Sequence, residues 1–146
     1  MSLIADPHVS AQEARPLRGI FVAGSGTDVG KTVCTGALLR CLRQENVAVQ
    51  AVKPVQTGVR VDDVASSPLS DAFVYAKAMQ GIKSMQGLQP SAVLHCFELP
   101  ASPHLAAAKE NKRLSCRILR EDILAHWRAV PARALLLEGA GGLRVP

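Results

Sequence analysis

The residues best suited to chemistry lie in a glycine-rich stretch, GSGTDVGKTV, which spans residues 24–33. It follows an apolar run, GIFVAG, and precedes a run with helical spacing, CTGALLRCLRQE. Backbone N–H groups of such a turn, at the start of a helix, converge on one point and bind anionic oxygens. Lys31 adds a positive charge there, and the Thr32 hydroxyl can ligate Mg²⁺. The stretch therefore predicts a site for the phosphates of a nucleotide.

The spacing of this stretch departs in one place from the usual phosphate-binding pattern, G-x-x-x-x-G-K-[ST]. Ser25 occupies the position of the first glycine. A strand before the loop and a helix after it are nonetheless the context that a P-loop requires. The alternative is an ordinary strand–helix turn that contains Gly-Lys-Thr by chance. Gly26 stands where partitioning-type ATPases carry an additional lysine, so the loop does not fit that class.

A second lysine and several acids extend the predicted site. Lys53 lies near the end of the apolar run VAVQAVKPV, and Glu138 ends ALLLE before a glycine turn. Ligands of open parallel sheets bind at the carboxyl ends of strands, so Lys53 would contact a phosphate and Glu138 would hold or orient Mg²⁺. The simpler alternatives are a solvated strand end for Lys53 and a turn-capping acid for Glu138. Local sequence favours none of Asp62, Asp63 and Asp71, since an acid at a helix start often only compensates the helix dipole.

Strands and helices must bring these residues together, and apolar periodicity with turn residues predicts both. Strands are expected over residues 19–24, 47–55 and 92–99, and from residue 132 into the GAGG turn. Helices are expected over residues 30–45, 70–81, 102–111 and 116–130. Ser70 and Ser102 are the predicted N-caps, and Pro54 is expected to end the second strand. Strand, helix and strand in succession form a βαβ unit, which implies an α/β fold with a mostly parallel sheet flanked by helices.

Composition bounds the kind of protein. The chain has 146 residues, of which 48% are hydrophobic, 20% charged and 3% aromatic, with a net charge of +5. That length predicts one domain, with a loose N-terminal tail over residues 1–18 and a nucleotide-binding domain over residues 19–146. The positive charge suits an anionic small molecule and is compatible with nucleic acid. The scarcity of aromatic residues argues against a base-stacking surface, so no nucleic-acid partner is expected.

The apolar residues of the first helix recur at helical spacing, which indicates one apolar face. They are Val33, Ala37, Leu38, Cys41 and Leu42. The first strand is expected to be buried.

Four cysteines, at positions 34, 41, 96 and 116, form no C-x-x-C pair and have no histidine at metal-ligand spacing. A zinc site is therefore not expected. The cysteines are interpreted as small buried hydrophobes in a reducing cytoplasm. No apolar run reaches 18 residues, and the N-terminus lacks the apolar segment of a secretory signal. The sequence predicts a cytoplasmic protein without a membrane partner.

Taken together, these segments resemble dethiobiotin synthase, the ATP-dependent carboxylase-cyclase of biotin synthesis. The matching stretches, in order within residues 19–146, are GTDVGKT, VKPVQTG, SDA, PASPH and LEGAGG. The resemblance implies a P-loop α/β fold, usually a homodimer, with further C-terminal strands that these 146 residues do not contain. Without those strands, an apolar strand edge is expected to be exposed. The resemblance also implies that 7,8-diaminononanoate, CO₂ and MgATP react through a carbamate and a carbamic-phosphoric anhydride to a cyclic urea.

The resemblance assigns a role to each matching position. The ATP-phosphate loop would comprise Asp28, Val29, Gly30, Lys31, Thr32 and Val33. Asp28 stands where the family often has Glu. Lys31 would hold the phosphates, and Lys53 would stabilise the carbamate and the transferring phosphoryl group.

The remaining assignments concern metal, substrate and nucleotide. The resemblance selects Asp71 from its neighbours and implies that Mg²⁺ is held by Thr32, Asp71 and Glu138. Thr57 would contact the substrate. The nucleotide would also lie along Gly139, Ala140 and Gly141. His104 of SPH is interpreted as structural rather than as a general base.

Other interpretations stay open. A cobyrinate-amidotransferase-like domain would share the P-loop and the lysine strand, although PASPH and LEGAGG fit it less well. A nucleotide-binding regulatory module would bind ATP without dependence on a diamine. An inactive remnant would bind neither. Diamine-dependent ATP turnover separates the first interpretation from all of these.

Overall fold

The computed structural model describes residues 16–142, which form a four-stranded parallel sheet flanked by helices. The strands are β1 (Gly19–Val22), β2 (Val49–Thr57), β3 (Ser91–Phe97) and β4 (Ala134–Glu138). The helices are α1 (Lys31–Gln44), α2 (Asp71–Ala78), α3 (Pro103–Lys109) and α4 (Cys116–Ala129), with a short 3-10 helix at Val61–Asp63. The strand order is β1-β4-β2-β3. The predicted α/β fold class is confirmed.

The two faces of the sheet bury different sets of residues because side chains alternate along each strand. Ala51 of β2 pairs with Leu136 of β4, and both pack with α1 and α2 in one aliphatic cluster. Val52 and its neighbours pack on the opposite face around Trp127 of α4. Two residues beyond Ala51 and Leu136, the same alternation places Lys53 and Glu138 on the α1–α2 face. The register of the core thus determines which face carries the charged residues.

A third cluster closes the carboxyl end of the sheet. It joins Val55 of β2 and Phe97 of β3 to two alanines of α3. The predicted starts of the neighbouring helices are confirmed. Ser70 caps α2 by accepting a hydrogen bond from the Ala72 N–H at 3.2 Å, and Ser102 precedes α3 with Pro103 in its first turn. None of the described helices has the length and apolar character needed to span a membrane.

Pro54 does not end β2, contrary to prediction, because the strand continues to Thr57. Pairing between β2 and β4 stops at Val52, whereas pairing with β3 extends to Thr57. Beyond Val52 the strand is therefore paired on one side only, and proline is tolerated at such half-paired positions.

The first strand is not buried, also contrary to prediction. Phe21 is 62% exposed and Ile20 is 49% exposed. β1 pairs with β4 on one side, and among residues 16–142 no strand pairs with its other side. The apolar character of the run predicted a strand correctly, but the strand order makes it an edge.

The apolar face predicted for α1 is confirmed only in part, because Leu38 and Leu42 pack against the aliphatic cluster whereas the other three residues are exposed. Val33 is 70% exposed, and Ala37 and Cys41 are exposed as well, whereas Thr35, Leu39 and Arg43 are buried. Arg43 finds backbone carbonyl partners on the buried side of α1. The Arg43 guanidinium donates to the carbonyl oxygens of Val49, Leu88 and Gln89 at 2.7–3.3 Å, and burial lowers its pKa.

The four cysteines are free thiols, but they are not the buried hydrophobes that were predicted. Cys34, Cys41 and Cys116 are exposed, and Cys96 is half-buried. Cys34 and Cys41 are exposed because they lie on the side of α1 that faces away from the core. Cys116 is exposed because it is the first residue of α4. The predicted tail over residues 1–18 lies outside the described residues except for residues 16–18.

Candidate functional site

A cavity of about 720 Å³ opens at the carboxyl end of the sheet, between the glycine-rich loop, β2 and the start of α2. Its lining includes most of the residues predicted from the sequence: Asp28, Gly30, Lys31, Thr32, Val33, Lys53, Thr57, Asp71, Glu138, Ala140 and Gly141. Val29 and Gly139 do not line it. Val29 is half exposed, and the Gly139 carbonyl accepts a hydrogen bond from Lys53 at 3.3 Å.

The glycine-rich loop wraps around its own lysine. Gly30, with φ of 89°, is the N-cap of α1, and Asp28 also has a positive φ. A Cβ at Gly24 would lie 2.6 Å from the Val29 side chain, so the loop accepts no larger residue there without moving. The Lys31 side chain is buried, and its Nζ donates to the Gly26 carbonyl oxygen. The lysine charge thus lies inside the loop, at the start of a helix where anions bind.

A buried ionic cluster lies beside the loop. Lys53 Nζ is 2.6 Å from Asp71 Oδ2 and 2.9 Å from Glu138 Oε1. Glu138 is fully buried, and the side chains of Lys53 and Asp71 are largely buried. One ammonium therefore faces two carboxylates, and the cluster of these three side chains keeps a net negative charge.

The Thr32 hydroxyl joins the cluster from α1. Its Oγ1 lies 2.9 Å from Asp71 Oδ1 and 2.8 Å from Glu138 Oε1. A hydroxyl has one hydrogen, so it donates to only one of these carboxylates at a time. Helix α1, helix α2 and strand β4 thus bring oxygen atoms to one point at the wall of the cavity. Lys53 neutralises only part of the negative charge of the two carboxylates.

The electrostatics of Glu138 agree with this arrangement. Burial by itself raises the pKa of Glu138, but the opposing contributions outweigh it and lower the pKa overall. These are the charge of Lys53 and hydrogen bonds from Tyr75, Lys53 and Thr32. Glu138 is therefore held as a carboxylate inside the protein.

The residues at this point fit a magnesium ion. Mg²⁺ prefers hard oxygen ligands and usually takes one or two carboxylates together with water and substrate phosphates. Thr32, Asp71 and Glu138 supply a hydroxyl and two carboxylates next to the glycine-rich loop. The described residues hold no group of three or more His, Cys, Asp or Glu side chains that could enclose a metal. The arrangement suits a cation that arrives with a phosphate rather than an all-protein cage.

The structure also separates residues that the sequence left equivalent. Asp62 and Asp63 lie exposed in the 3-10 helix, whereas Asp71 begins α2 and lies in the cluster. The Asp71 backbone N–H donates to Oε1 of the buried Gln56 side chain at 3.2 Å. His104 is exposed on α3 and lines an adjoining groove of about 490 Å³, not the cavity.

Sequence reasoning missed two kinds of site residue. Tyr75 donates to Glu138 Oε2 at 2.6 Å, and its spacing of four residues from Asp71 was the available signal. Gly142, the last residue of the GAGG turn, contacts the glycine-rich loop. A Cβ at this position would lie 2.6 Å from the Ser25 carbonyl oxygen. The sequence predicts a glycine turn at GAGG, but no local pattern predicts which of its glycines contacts a distant loop.

Comparison with known proteins gives matches over nearly the whole described region. The sequence model of a family described as "AAA domain" matches residues 18–146. The chain is 35% identical over 128 residues to ATP-dependent dethiobiotin synthetase BioD 2 of Haemophilus influenzae, covering 87% of this chain and 62% of that protein.

Two further relatives are ATP-dependent dethiobiotin synthetases BioD. The protein of Vibrio cholerae is 37% identical over 127 residues, covering 87% of this chain and 52% of the relative. That of Wolinella succinogenes is 36% identical over 132 residues, covering 89% of this chain and 57% of the relative. The chain thus spans little more than half the length of the curated relatives it matches.

Proposed function

The chain belongs to the AAA-domain family, and we propose that it carries the phosphate-binding and catalytic part of an ATP-dependent dethiobiotin synthetase. The reaction would be the carboxylation and ring closure of 7,8-diaminononanoate with CO₂, an ATP-dependent cyclo-ligase reaction of biotin biosynthesis. The observation that carries the proposal is the meeting of two buried lysines and an oxygen cluster at one cavity.

The two lysines are suited to different parts of this reaction. Lys31 lies within the glycine-rich loop, where it would bind the ATP phosphates together with backbone N–H groups. Lys53 reaches the cavity from β2, between Asp71 and Glu138. We propose that Lys53 turns toward the carbamate and the transferring phosphoryl group when these substrates are bound. Thr57, at the end of β2 in the same cavity, would contact the diamine.

The chemistry requires positioning and charge neutralisation rather than a covalent protein intermediate. One amine adds to CO₂ and loses a proton, which gives a carbamate. A carbamate oxygen then attacks the γ-phosphorus of ATP, and ADP leaves. The second amine attacks the carbonyl carbon of the resulting anhydride, phosphate leaves, a proton is lost, and the cyclic urea forms. Lys31 and Lys53 would stabilise the negative charge that shifts between these oxygens.

Magnesium is part of the proposal. When bound, it would neutralise phosphate charge during phosphoryl transfer. Thr32, Asp71 and Glu138 would hold it, while the glycine-rich loop and Gly139, Ala140 and Gly141 would lie along the nucleotide. We further propose that the complete protein acts in the cytoplasm as a homodimer.

The test is phosphate release from MgATP by the purified chain, with and without 7,8-diaminononanoate and bicarbonate. Release that depends on the diamine would support the proposed reaction. ATP binding without such release would contradict it and favour a nucleotide-binding module or a cobyrinate-amidotransferase-like domain. A folded chain that binds no ATP would favour the inactive remnant.

A further inference from the structure

Tyr75 is a buried polar residue to which the proposed reaction assigns no role. It lies on α2 with no exposed surface and packs in the aliphatic cluster with Leu39 and Leu136. A phenylalanine would fill the same volume. A buried hydroxyl costs free energy unless it finds a partner, so packing alone does not account for a tyrosine here.

The partner of the Tyr75 hydroxyl is one oxygen of Glu138. The hydroxyl donates to Glu138 Oε2 at 2.6 Å. The other oxygen, Oε1, lies 2.9 Å from Lys53 Nζ and 2.8 Å from Thr32 Oγ1. Tyr75 therefore occupies the buried side of the carboxylate, and the oxygen on the cavity side stays with the ionic cluster.

The phenol remains a donor in this environment. The hydroxyl has one hydrogen, and the contact with Glu138 uses it.

The position of Tyr75 on α2 links both acids of the cluster. Residues four apart lie on the same face of a helix, so Tyr75 lies one turn beyond Asp71. Asp71 is itself an acid of the cluster, and Tyr75 contacts the other acid, Glu138. One short helix therefore carries one carboxylate and the group that orients the second.

We propose that Tyr75 is a positioning residue whose hydroxyl orients Glu138, so that Oε1 is presented to a metal–nucleotide complex in the cavity. The terminal torsion of a glutamate is broad, and a carboxylate without this hydrogen bond rotates more freely. The inference rests on the proposed function in one respect, namely that the cavity binds ATP together with a divalent cation.

The first arm of the test measures ATP affinity by calorimetry, once with Mn²⁺ as the metal probe and once in EDTA. Tyr75→Phe is compared with the wild-type chain and with Trp127→Phe, which alters a buried aromatic residue on the opposite face of the sheet. Removing a group that orients a metal ligand typically lowers metal affinity by about 10-fold or more. We expect Tyr75→Phe to reduce the Mn²⁺-dependent gain in ATP affinity by about that factor and to leave the affinity in EDTA unchanged.

Trp127→Phe should keep the full Mn²⁺-dependent gain. An unchanged gain in Tyr75→Phe, or an equal loss in both variants, would overturn the proposal, because the effect would then be absent or merely structural.

The second arm needs no ligand and uses urea unfolding of Tyr75→Phe, Glu138→Gln and the double variant. A double-variant midpoint shift that differs from the sum of the single shifts is expected for two directly coupled side chains. Additive shifts would overturn the assignment. If Mn²⁺ does not raise ATP affinity in the wild-type chain, the metal part of the proposed function fails, and this second arm alone decides the role of Tyr75.

Discussion

The carboxyl end of the sheet and its β1 edge differ in which kinds of side chain they bury. At the carboxyl end, charged side chains are buried: Lys31, Lys53 and Glu138 each expose less than a tenth of their surface. At the β1 edge, apolar side chains are exposed, including Ile20 and Phe21. Lys and Glu are seldom buried unless they are paired, so both regions depart from ordinary burial.

The burial of charged residues and the exposure of apolar residues have separate causes in this chain. The buried charges are matched by specific partners, since Lys53 lies within hydrogen-bond distance of both Asp71 and Glu138. The exposed hydrophobes have a topological cause, because β1 is paired on one side only within residues 16–142. Four predictions test this contrast, from the largest expected effect to the smallest.

The largest effect is expected from Lys31→Ala. Truncating one partner of a buried charged contact costs several kcal/mol, so ATP affinity should fall by about 100-fold. Calorimetric titration with MgATP measures this. Lys109→Ala changes an exposed lysine of α3 and serves as the control. An ATP affinity of Lys31→Ala equal to that of the control would show that the buried charge in the loop does not bind phosphate.

Lys53→Ala should separate binding from turnover. We expect ATP binding to persist and diamine-dependent phosphate release to disappear, since this lysine is proposed to act on the carbamate and the phosphoryl group. The variant also leaves two buried carboxylates without their ammonium, which should cost about 3 kcal/mol of stability. The assays should be run at a temperature at which the variant is folded. Lys83→Ala, which changes an exposed lysine, serves as the control. Full turnover by Lys53→Ala would show that the assignment of Lys53 is wrong.

A matched pair of core and edge variants tests the contrast in burial directly. Leu136→Ala removes a fully buried side chain and should lower the free energy of unfolding by about 2–5 kcal/mol. Phe21→Ala removes an exposed side chain of the neighbouring edge strand and should change it by about 0.5 kcal/mol or less. Urea unfolding measures both. Equal losses would mean that β1 is covered in solution.

The smallest effect concerns His126, which is half-buried on α4. Its Nε2 lies 2.7 Å from Gln50 Oε1, and burial lowers its pKa. An unfolded histidine has a pKa of about 6.5, so below that pH the unfolded state binds the proton more readily than the folded state. The free energy of unfolding should therefore fall as pH decreases from about 6.5 through the lower folded pKa.

His126→Gln should weaken this pH dependence, whereas His104→Gln, at an exposed histidine, should retain it. Urea unfolding between neutral and mildly acidic pH measures the slope. The same slope in all three proteins would exclude His126 as its source.

Local sequence was sufficient where neighbouring residues decide the structure. The glycine-rich loop, its lysine and the helix after it follow from a contiguous pattern, and the structure has them at residues 24–44. Apolar runs also predicted each strand, and Ser70 predicted the start of α2. Lys53 and Glu138 were placed at one sheet edge by the rule that parallel strands end together.

Tertiary contacts decided what the local pattern left open. Local residues do not distinguish Asp71 from Asp62 and Asp63; the resemblance selected Asp71, and the structure places it beside Lys53 of β2. The contact of Tyr75 was not predicted, because its partner Glu138 is distant in the sequence. A short-range pattern carries no information about a partner that the chain brings close only on folding.

Local residues and their spacing were thus enough to predict the class of fold, the glycine-rich loop and the two lysines that line one cavity. Tertiary pairing and packing settle the rest. Within residues 16–142 β1 is paired on one side only, and β2 continues past Pro54. Helix α1 buries Thr35, Leu39 and Arg43, whereas three of the five residues of its predicted apolar face are exposed. The physical reason is that burial depends on which strand pairs on each side and which carbonyl needs a donor. Those partners lie far away along the chain.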